Sequence, residues 1–381
     1  VPADFASSIS LETHQKAADY TLAKLRLGHW DLAIDAAMLL GWTLLGGLGF
    51  LDQWLMAWVG PGMLQQLLLI AGFVLISALV NLPLSYHQTF HLEQSFGFNR
   101  MTLGLWLTDM VKSTLVGVVL GLPLVWAVLW LMASGGQVWW LWAWGLLVAF
   151  QLFVIWIAPN VIMPLFNSFA PLEDAELKQR VDQLMQRTGF ESDGFFVMDG
   201  SRRSAHSNAF FTGLGKQKRV VFFDTLLQQL DPGEMEAVLA HELGHFKHRH
   251  VPNMMLRSFA LSLAGLALLG WLSGQVGFYT GLGVTPVLND AHANNALALI
   301  LFMLVLPLPL FFLTPLSSAW SRRQEFQADA YATEHAQAQD LRSALLKLYR
   351  DNASTLTPDP VYVAFYYSHP PASQRLARMG A

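Results

Sequence analysis

The chain has 381 residues, of which 54% are hydrophobic and only 13% charged, with a mean hydropathy of +0.38. Soluble domains carry about a quarter charged residues, so this balance excludes an ordinary soluble enzyme and points to a membrane protein. A net charge of −4 gives no reason to expect a nucleic-acid partner, and the absence of cysteine excludes disulfides, thiolate metal ligands and a cysteine nucleophile. Any bound metal must be held by His, Asp or Glu.

Residues 1–30 are polar and lack the apolar core of a signal peptide, and the chain starts at Val1 rather than Met, so a preceding segment is expected. Six apolar runs follow, each sufficient for the roughly 20 helical residues that cross a bilayer. They lie near 33–58, 64–86, 103–133, 138–162, 254–280 and 295–320. Trp30, Trp139, Trp140 and Trp320 lie where interfacial aromatic belts are expected. If the spans alternate, the loops 59–63, 134–137 and 281–294 share one side, and they contain no Lys or Arg. Nearly all of the 23 basic residues fall on the other side, which the positive-inside rule makes cytoplasmic. The implied organisation is a membrane region at 1–162, a cytoplasmic α+β insert at 163–253, two further spans at 254–320 and a cytoplasmic C-terminal part at 321–381.

Asp109 and Lys112 share a face of the third run, where they read either as an ion pair or as the wall of a polar cavity. The polar cluster His87, Gln88, His91 and Glu93 reads equally as a chamber entrance or as a solvated loop. Pro307, Pro309 and Pro315 are expected to break the last span. In the insert, LEDAELKQRVDQLMQRTGF has helical periodicity, with Leu177, Val181, Leu184 and Met185 on one face. GFFVMDGS and KRVVFFD read as strands, and the stretch from SNAFF to VVFFD reads as a hairpin turning around 213–218. Asp231, Pro232 and Glu234 then signal a helix start: an N-cap, a first-position proline and a capping-box glutamate.

That helix carries HELGH, 241–245. His241 and His245, one turn apart, can bind one metal through neutral imidazoles, and Glu242 beside them suits the base that deprotonates water. The same five residues could also be a solvated charged helix. A catalytic site needs a third ligand. The metzincin continuation would need Gly at 248 and His at 251, but these are His248 and Val251. The alternative is RRQEFQADAYA, where Glu325 can reach the metal and Asp329, four residues on, can accept a hydrogen bond from a ligand imidazole. Alone these two would read as an exposed acidic pair. His206, His248 and His250 suggest interfacial or supporting positions rather than a fourth ligand, because a catalytic zinc keeps that position open.

HELGH, EFQAD and YSHPPASQRLAR, in that order, resemble the type I CAAX prenyl proteases, integral-membrane zinc endopeptidases of the gluzincin group. DGSRRSAHSNAFFTGLGKQKRVVFFDTLL and the N-terminal VPADFASSISLETHQKAADYTLAKLRLG extend the resemblance over nearly the whole chain. It implies an α-helical integral membrane protein, a multi-span helical barrel around an intramembrane chamber with a small α+β zinc-protease domain at its cytoplasmic end. A seventh span would precede Val1. It implies one zinc per chain, held by His241, His245 and Glu325, with Glu242 as base and acid. Asn208 would hydrogen-bond the substrate backbone, and His369 and Arg375 would stabilise the oxyanion. The substrate would be a peptide or protein, lipidated or membrane-associated, and the membrane a bacterial inner membrane or an endoplasmic reticulum. Two other readings remain at this point. One is a heat-shock-type membrane quality-control protease, whose members are shorter and lack this N-terminal stretch. The other is an inactive transporter or scaffold on a protease fold, against which the intact Glu242 and the third ligand argue.

Overall fold

The computed structural model describes residues 1–2, 5–190, 194–212 and 219–379. The N-terminal half is helical: α1 (Leu11–Trp42), α2 (Gly47–Val59), α3 (Met63–His87), α4 (Leu103–Ser134), α5 (Trp139–Ile157) and the short α6 (Met163–Phe166). The insert follows as β1 (Phe169–Pro171), α7 (Ala175–Thr188), β2 (Phe195–Met198), β3 (Ala209–Thr212), β4 (Arg219–Phe223), α8 (Asp224–Gln229) and α9 (Pro232–Lys247). The chain re-enters the apolar region through α10 (His250–Leu272), α11 (Val276–Thr280), α12 (Asn295–Val305), α13 (Pro307–Leu310) and α14 (Thr314–His335). It ends in α15 (Ala338–Asp351), α16 (Pro360–Tyr366) and α17 (Ala372–Arg378).

Among the described residues five helical stretches are long and apolar enough to cross a bilayer: Met63–Glu93, Leu103–Ser134, Gly136–Phe166, His250–Leu272 and His292–His335. The run expected at 33–58 is the sixth only as a bent pair, because α1 and α2 meet at 50°. The bend falls at Gly46, whose φ of +81° places it in the left-handed region that favours glycine. Asp52, in α2, is buried and accepts a 2.5 Å hydrogen bond from Gln65 Nε2, which removes the cost of burying that polar group alone. The run expected at 254–280 stops at Leu272, and α11 is a separate turn. In the last span the prolines interrupt α-helical hydrogen bonding, with a 3₁₀ turn at Phe311–Leu313, yet the helical path continues to His335.

The helices are tied together at two ends. One end is a cluster containing Trp42, Leu48, Leu69, Leu129, Met132, Trp139, Leu269 and Leu297, contributed by helix ends far from the insert. The other end is the insert itself. Little of the apolar windows is buried, 33% of that in His292–His335 and none of that in Gly136–Phe166, as expected of helices whose apolar side chains face lipid.

In the insert the sheet order is β1-β2-β4-β3, with β2 parallel to β4 and the outer strands antiparallel to their neighbours. The expected hairpin is present as β3 and β4, paired from Ala209–Phe222 to Thr212–Arg219; its turn at 213–218 lies outside the described residues. Strand β1 carries no sequence signal, being three residues that include Pro171 at a sheet edge, where a missing N–H is tolerated. Leu177, Val181, Leu184 and Met185 of α7 are all buried, in one cluster with Val220, Phe222, Leu345 and, from α9, Leu239 and Leu243.

Asp109 and Lys112 do not pair with each other. Arg203 of the insert makes a bidentate contact with Asp109 at 2.8 and 3.0 Å and also donates to Phe166 O and Asn167 Oδ1, while Lys112 donates to Leu165 O. The membrane charge therefore anchors the insert to α4 and to the end of the fourth span.

Candidate metal centre

Helix α9 starts where its sequence says it should. Asp231 Oδ1 accepts from Glu234 N and Glu234 Oε2 from Asp231 N, both at 3.0 Å, with Pro232 in the first position. The box also docks α15, because Glu234 accepts from Lys347 Nζ at 2.6 Å and from Ser343 Oγ at 2.5 Å. This fixes the helix whose other end presents His241, Glu242 and His245.

Against it lies α14. The two helices approach so closely that a methyl group on Gly244 would lie 2.8 Å from Ala328 Cα and 3.1 Å from Ala328 O. The glycine of HELGH is thus a packing requirement: it lets α14 come near enough for Glu325 to face the two histidines. His245 Nε2 lies 3.3 Å from both His241 Nε2 and Glu325 Oε1, and His241 Nε2 lies 3.5 Å from Glu325 Oε2. One ligand atom from each residue fits within 4.8 Å of the others. Glu325 is buried, and its Oε2 has no hydrogen-bond partner. A buried carboxylate oxygen left without a hydrogen bond beside two convergent imidazole nitrogens is costly unless a bound cation completes it. The donor set fits a divalent metal that takes nitrogen and oxygen ligands.

The far side of each imidazole is held. His241 Nδ1 lies 2.9 Å from Asp329 Oδ1, the arrangement expected from the spacing of Glu325 and Asp329. A carboxylate there accepts the Nδ1 proton and leaves Nε2 free for the metal. Burial disfavours the charged imidazole, but Asp329 and Glu325 outweigh it and lift the pKa of His241 to about 9. His245 is held by His250, one of the three histidines read as interfacial or supporting. Its Nδ1 lies 2.9 Å from His250 Nδ1, and His250 Nε2 lies 3.0 Å from Gln327 Oε1. The Gln327 carbonyl oxygen can only accept, so His250 donates from Nε2, accepts at Nδ1, and orients His245 with its Nε2 toward the metal site. Gln327 stands between Glu325 and Asp329 in sequence but off their shared helical face, so spacing gave no hint of it.

Burial raises the Glu242 carboxyl above its usual value, with His241 and His245 pulling the other way. Asn208 is exposed immediately before β3, and its Oδ1 accepts from Ala209 N at 2.8 Å. Strand β3 is the outer strand of the sheet, and Asn208, Phe210, Glu242, His369 and Arg375 line one cavity of about 470 Å³ together with the three candidate ligands. His369 is 64% exposed, with Nε2 3.5 Å from Glu325 Oε1. Arg375 is buried and held by Asp329 at 2.6 and 2.9 Å, and its Nη1 lies 3.7 Å from Glu325 Oε2. Two of its three nitrogens thus hold Asp329 and the third faces Glu325, a departure from a residue wholly given to substrate. His206 lies apart from the cavity's ligands, 3.5 Å from Glu93 Oε2 and stacked on Phe98, so Glu93 of the polar cluster belongs to a joint between the insert and α3. His248, exposed, stacks on His250.

Residues 1–168 match the family described as CAAX prenyl protease N-terminal, five membrane helices, and residues 171–381 match peptidase family M48. The chain belongs to peptidase family M48. It is an integral-membrane metalloendopeptidase of that family. CAAX prenyl protease 1 of Saccharomyces cerevisiae is 39% identical over 80% of this chain and 69% of its own length. The Homo sapiens CAAX prenyl protease 1 homolog is 31% identical over 99% of this chain and 88% of its own. The crystal structure of S. mikatae Ste24p superposes with a TM-score of 0.93 at 33% identity, covering all of this chain and 92% of that one.

Proposed function

We propose that the protein hydrolyses peptide bonds with a single zinc ion held by His241, His245 and Glu325, and that its substrates carry a prenylated C-terminal CAAX sequence. The observation that carries the metal is the buried Glu325 carboxylate, whose Oε2 has no hydrogen bond, set against the Nε2 atoms of His241 and His245. The names of the relatives support the substrate class. When bound, zinc supplies Lewis acidity, which acidifies water and polarises a carbonyl. Glu242 takes the proton from the attacking water on a carboxylate oxygen and delivers it to the leaving amine nitrogen. An extended peptide adds to the outer edge of β3, with Asn208 fixing its backbone. His369 donates to the carbonyl oxygen as charge develops there, and Arg375 assists from the ligand side while its bonds to Asp329 hold the cage.

The same reading keeps the four-part organisation divided at 162, 253 and 320 and puts the site on the cytoplasmic face of a bacterial inner membrane or an endoplasmic reticulum, supported by loops free of Lys and Arg on the opposite side. The test is cleavage of a farnesylated CAAX peptide by the purified full-length protein. A chelator and Glu242→Gln should each abolish it, zinc should restore the chelated enzyme, and Glu242→Gln should still bind one zinc. Cleavage that survives both treatments would sink the mechanism.

A further inference from the structure

The metal cavity does not end at the ligands. His250, whose ring contacts His245, shares one face of α10 with Met254, Leu261 and Gly265 at helical spacing, and this face continues away from the metal. On the opposing chain Gln324, Ser317 and Leu313 run in the same direction from Glu325. These two faces bound an apolar groove of about 810 Å³, with Leu147 and Phe302 on its flanks. Met254 and Gln324 line both the groove and the metal cavity, so the two spaces adjoin at these side chains. Each wall extends about 17 Å at 1.5 Å per helical residue. Its volume lies within the usual range for small-molecule sites, on the order of 300–1,000 Å³.

We propose that this groove binds the isoprenoid chain of the substrate, an inference that rests on the prenyl-peptidase reading above. A lipid joined to a cysteine by a thioether lies only two side-chain atoms from the backbone being cut, so it must leave the metal cavity through a space that adjoins it. Among the described residues another cavity also adjoins the site, sharing Leu345, Leu348, Asn352, His369 and Arg375 with it. That one also has Lys24, His29 and the rings of Tyr20, Tyr349 and Tyr362 in its lining, and is the more polar of the two spaces. The α10–α14 groove contains no acidic side chain, and its one cation, Arg257, lies 4.3 Å over the ring of Trp320. That stacking lets a guanidinium border an apolar surface without an unpaired charge pointing into it. The chemistry recognised is a branched hydrocarbon tethered at the metal end.

The test compares two peptides of one sequence, one S-farnesylated and one S-methylated, with the full-length protein in nanodiscs. Ser258→Trp and Ser317→Phe place bulk in the groove without touching the ligands. Each should raise KM for the farnesyl peptide by about tenfold, the size of effect a filled hydrophobic pocket produces, and leave kcat/KM for the S-methyl peptide unchanged. Parallel losses on both peptides, or no loss on either, would overturn the assignment. A diazirine-bearing isoprenoid peptide on Glu242→Gln provides a readout independent of turnover. Labelling should fall within 254–265 and 313–324. Labelling confined to the tyrosine-lined cavity, or occupation by a diazirine phospholipid that excess farnesyl peptide fails to displace, refutes the groove. If wild type shows no chelator-sensitive cleavage of either peptide, the protease reading fails by itself, and the labelling pattern still decides the groove.

Discussion

Gly244→Ala is the smallest perturbation that tests how the metal cage is built. The added methyl would stand 2.8 Å from Ala328 Cα, 3.1 Å from Ala328 O and 3.1 Å from Tyr331 Cβ, two of which are backbone atoms that cannot rotate away. Relief requires α14 to move off α9 by roughly half an ångström or more, whereas metal–ligand distances hold to within about 0.2 Å. Overpacking of this kind costs about 1–3 kcal/mol, and replacing glycine by alanine inside a helix returns about 1 kcal/mol. Global stability should therefore fall by no more than about 2 kcal/mol. Glu325, carried on the displaced helix, loses register with His241 and His245, and zinc affinity should fall about 10- to 100-fold, as when the residues orienting ligands are removed. Zinc affinity is measured by competition with a chromogenic chelator and stability by thermal unfolding of the metal-free protein. Gly274→Ala, where the nearest atom is 3.7 Å away, is the control and should leave affinity unchanged. Unchanged zinc affinity in Gly244→Ala would refute the argument that this close approach sets the cage.

His250→Ala and Gln327→Leu should each weaken zinc binding by about 10- to 100-fold without removing a ligand, because both act through the orientation of His245; equilibrium dialysis against zinc checks this. The raised pKa of His241, about 9, gives a pH dependence: the metal-free site holds a proton that zinc must displace. Affinity should accordingly rise with pH, by about tenfold per unit below 9, with a proton released on binding that calorimetry in two buffers detects. Arg203→Ala removes the bidentate partner of Asp109 and the donor to Phe166 O. Since the Arg203 and Asp109 side chains are 20% and 16% exposed, the cost should be about 2 kcal/mol, read as a lower unfolding temperature, and a variant as stable as wild type would contradict the anchoring role.

The parts of this molecule visible in its sequence are those set by short-range rules. The capping box of α9, the buried face of α7 and the i,i+4 spacings in HELGH and EFQAD depend on a few neighbouring residues, and each appears where periodicity or turn chemistry puts it. What depended on a partner from elsewhere was illegible. Asp109 has Lys112 one turn away and yet pairs with Arg203, 94 positions distant, because the insert folds back onto the membrane edge. Gln327 occupies a helical face that spacing makes unremarkable, and only the arrival of His250 gives it a task. Strand β1 exists because a neighbouring strand offers it an edge, not because its three residues favour extension.

The placement of a hydrolytic centre beside a bilayer follows from α14. The helical path from His292 to His335 passes through the apolar region and emerges as the segment bearing Glu325, Gln327 and Asp329. A loop carrying these residues would have to be fixed by its own contacts, whereas a helix continuous with a span inherits the orientation of the bundle. His250 does the same from the other side, as the first residue of α10, one turn beyond the helix that carries His241 and His245. The cage is therefore clamped between two helices that both continue into the membrane region. Any motion that separates α10 from α14 acts on His245 through His250 and on the metal through Glu325. On the proposed reading, opening this seam to admit a lipidated chain and tightening the ligands around zinc would be opposed movements of the same two helices, and filling the seam with hydrocarbon would let both occur in one complex.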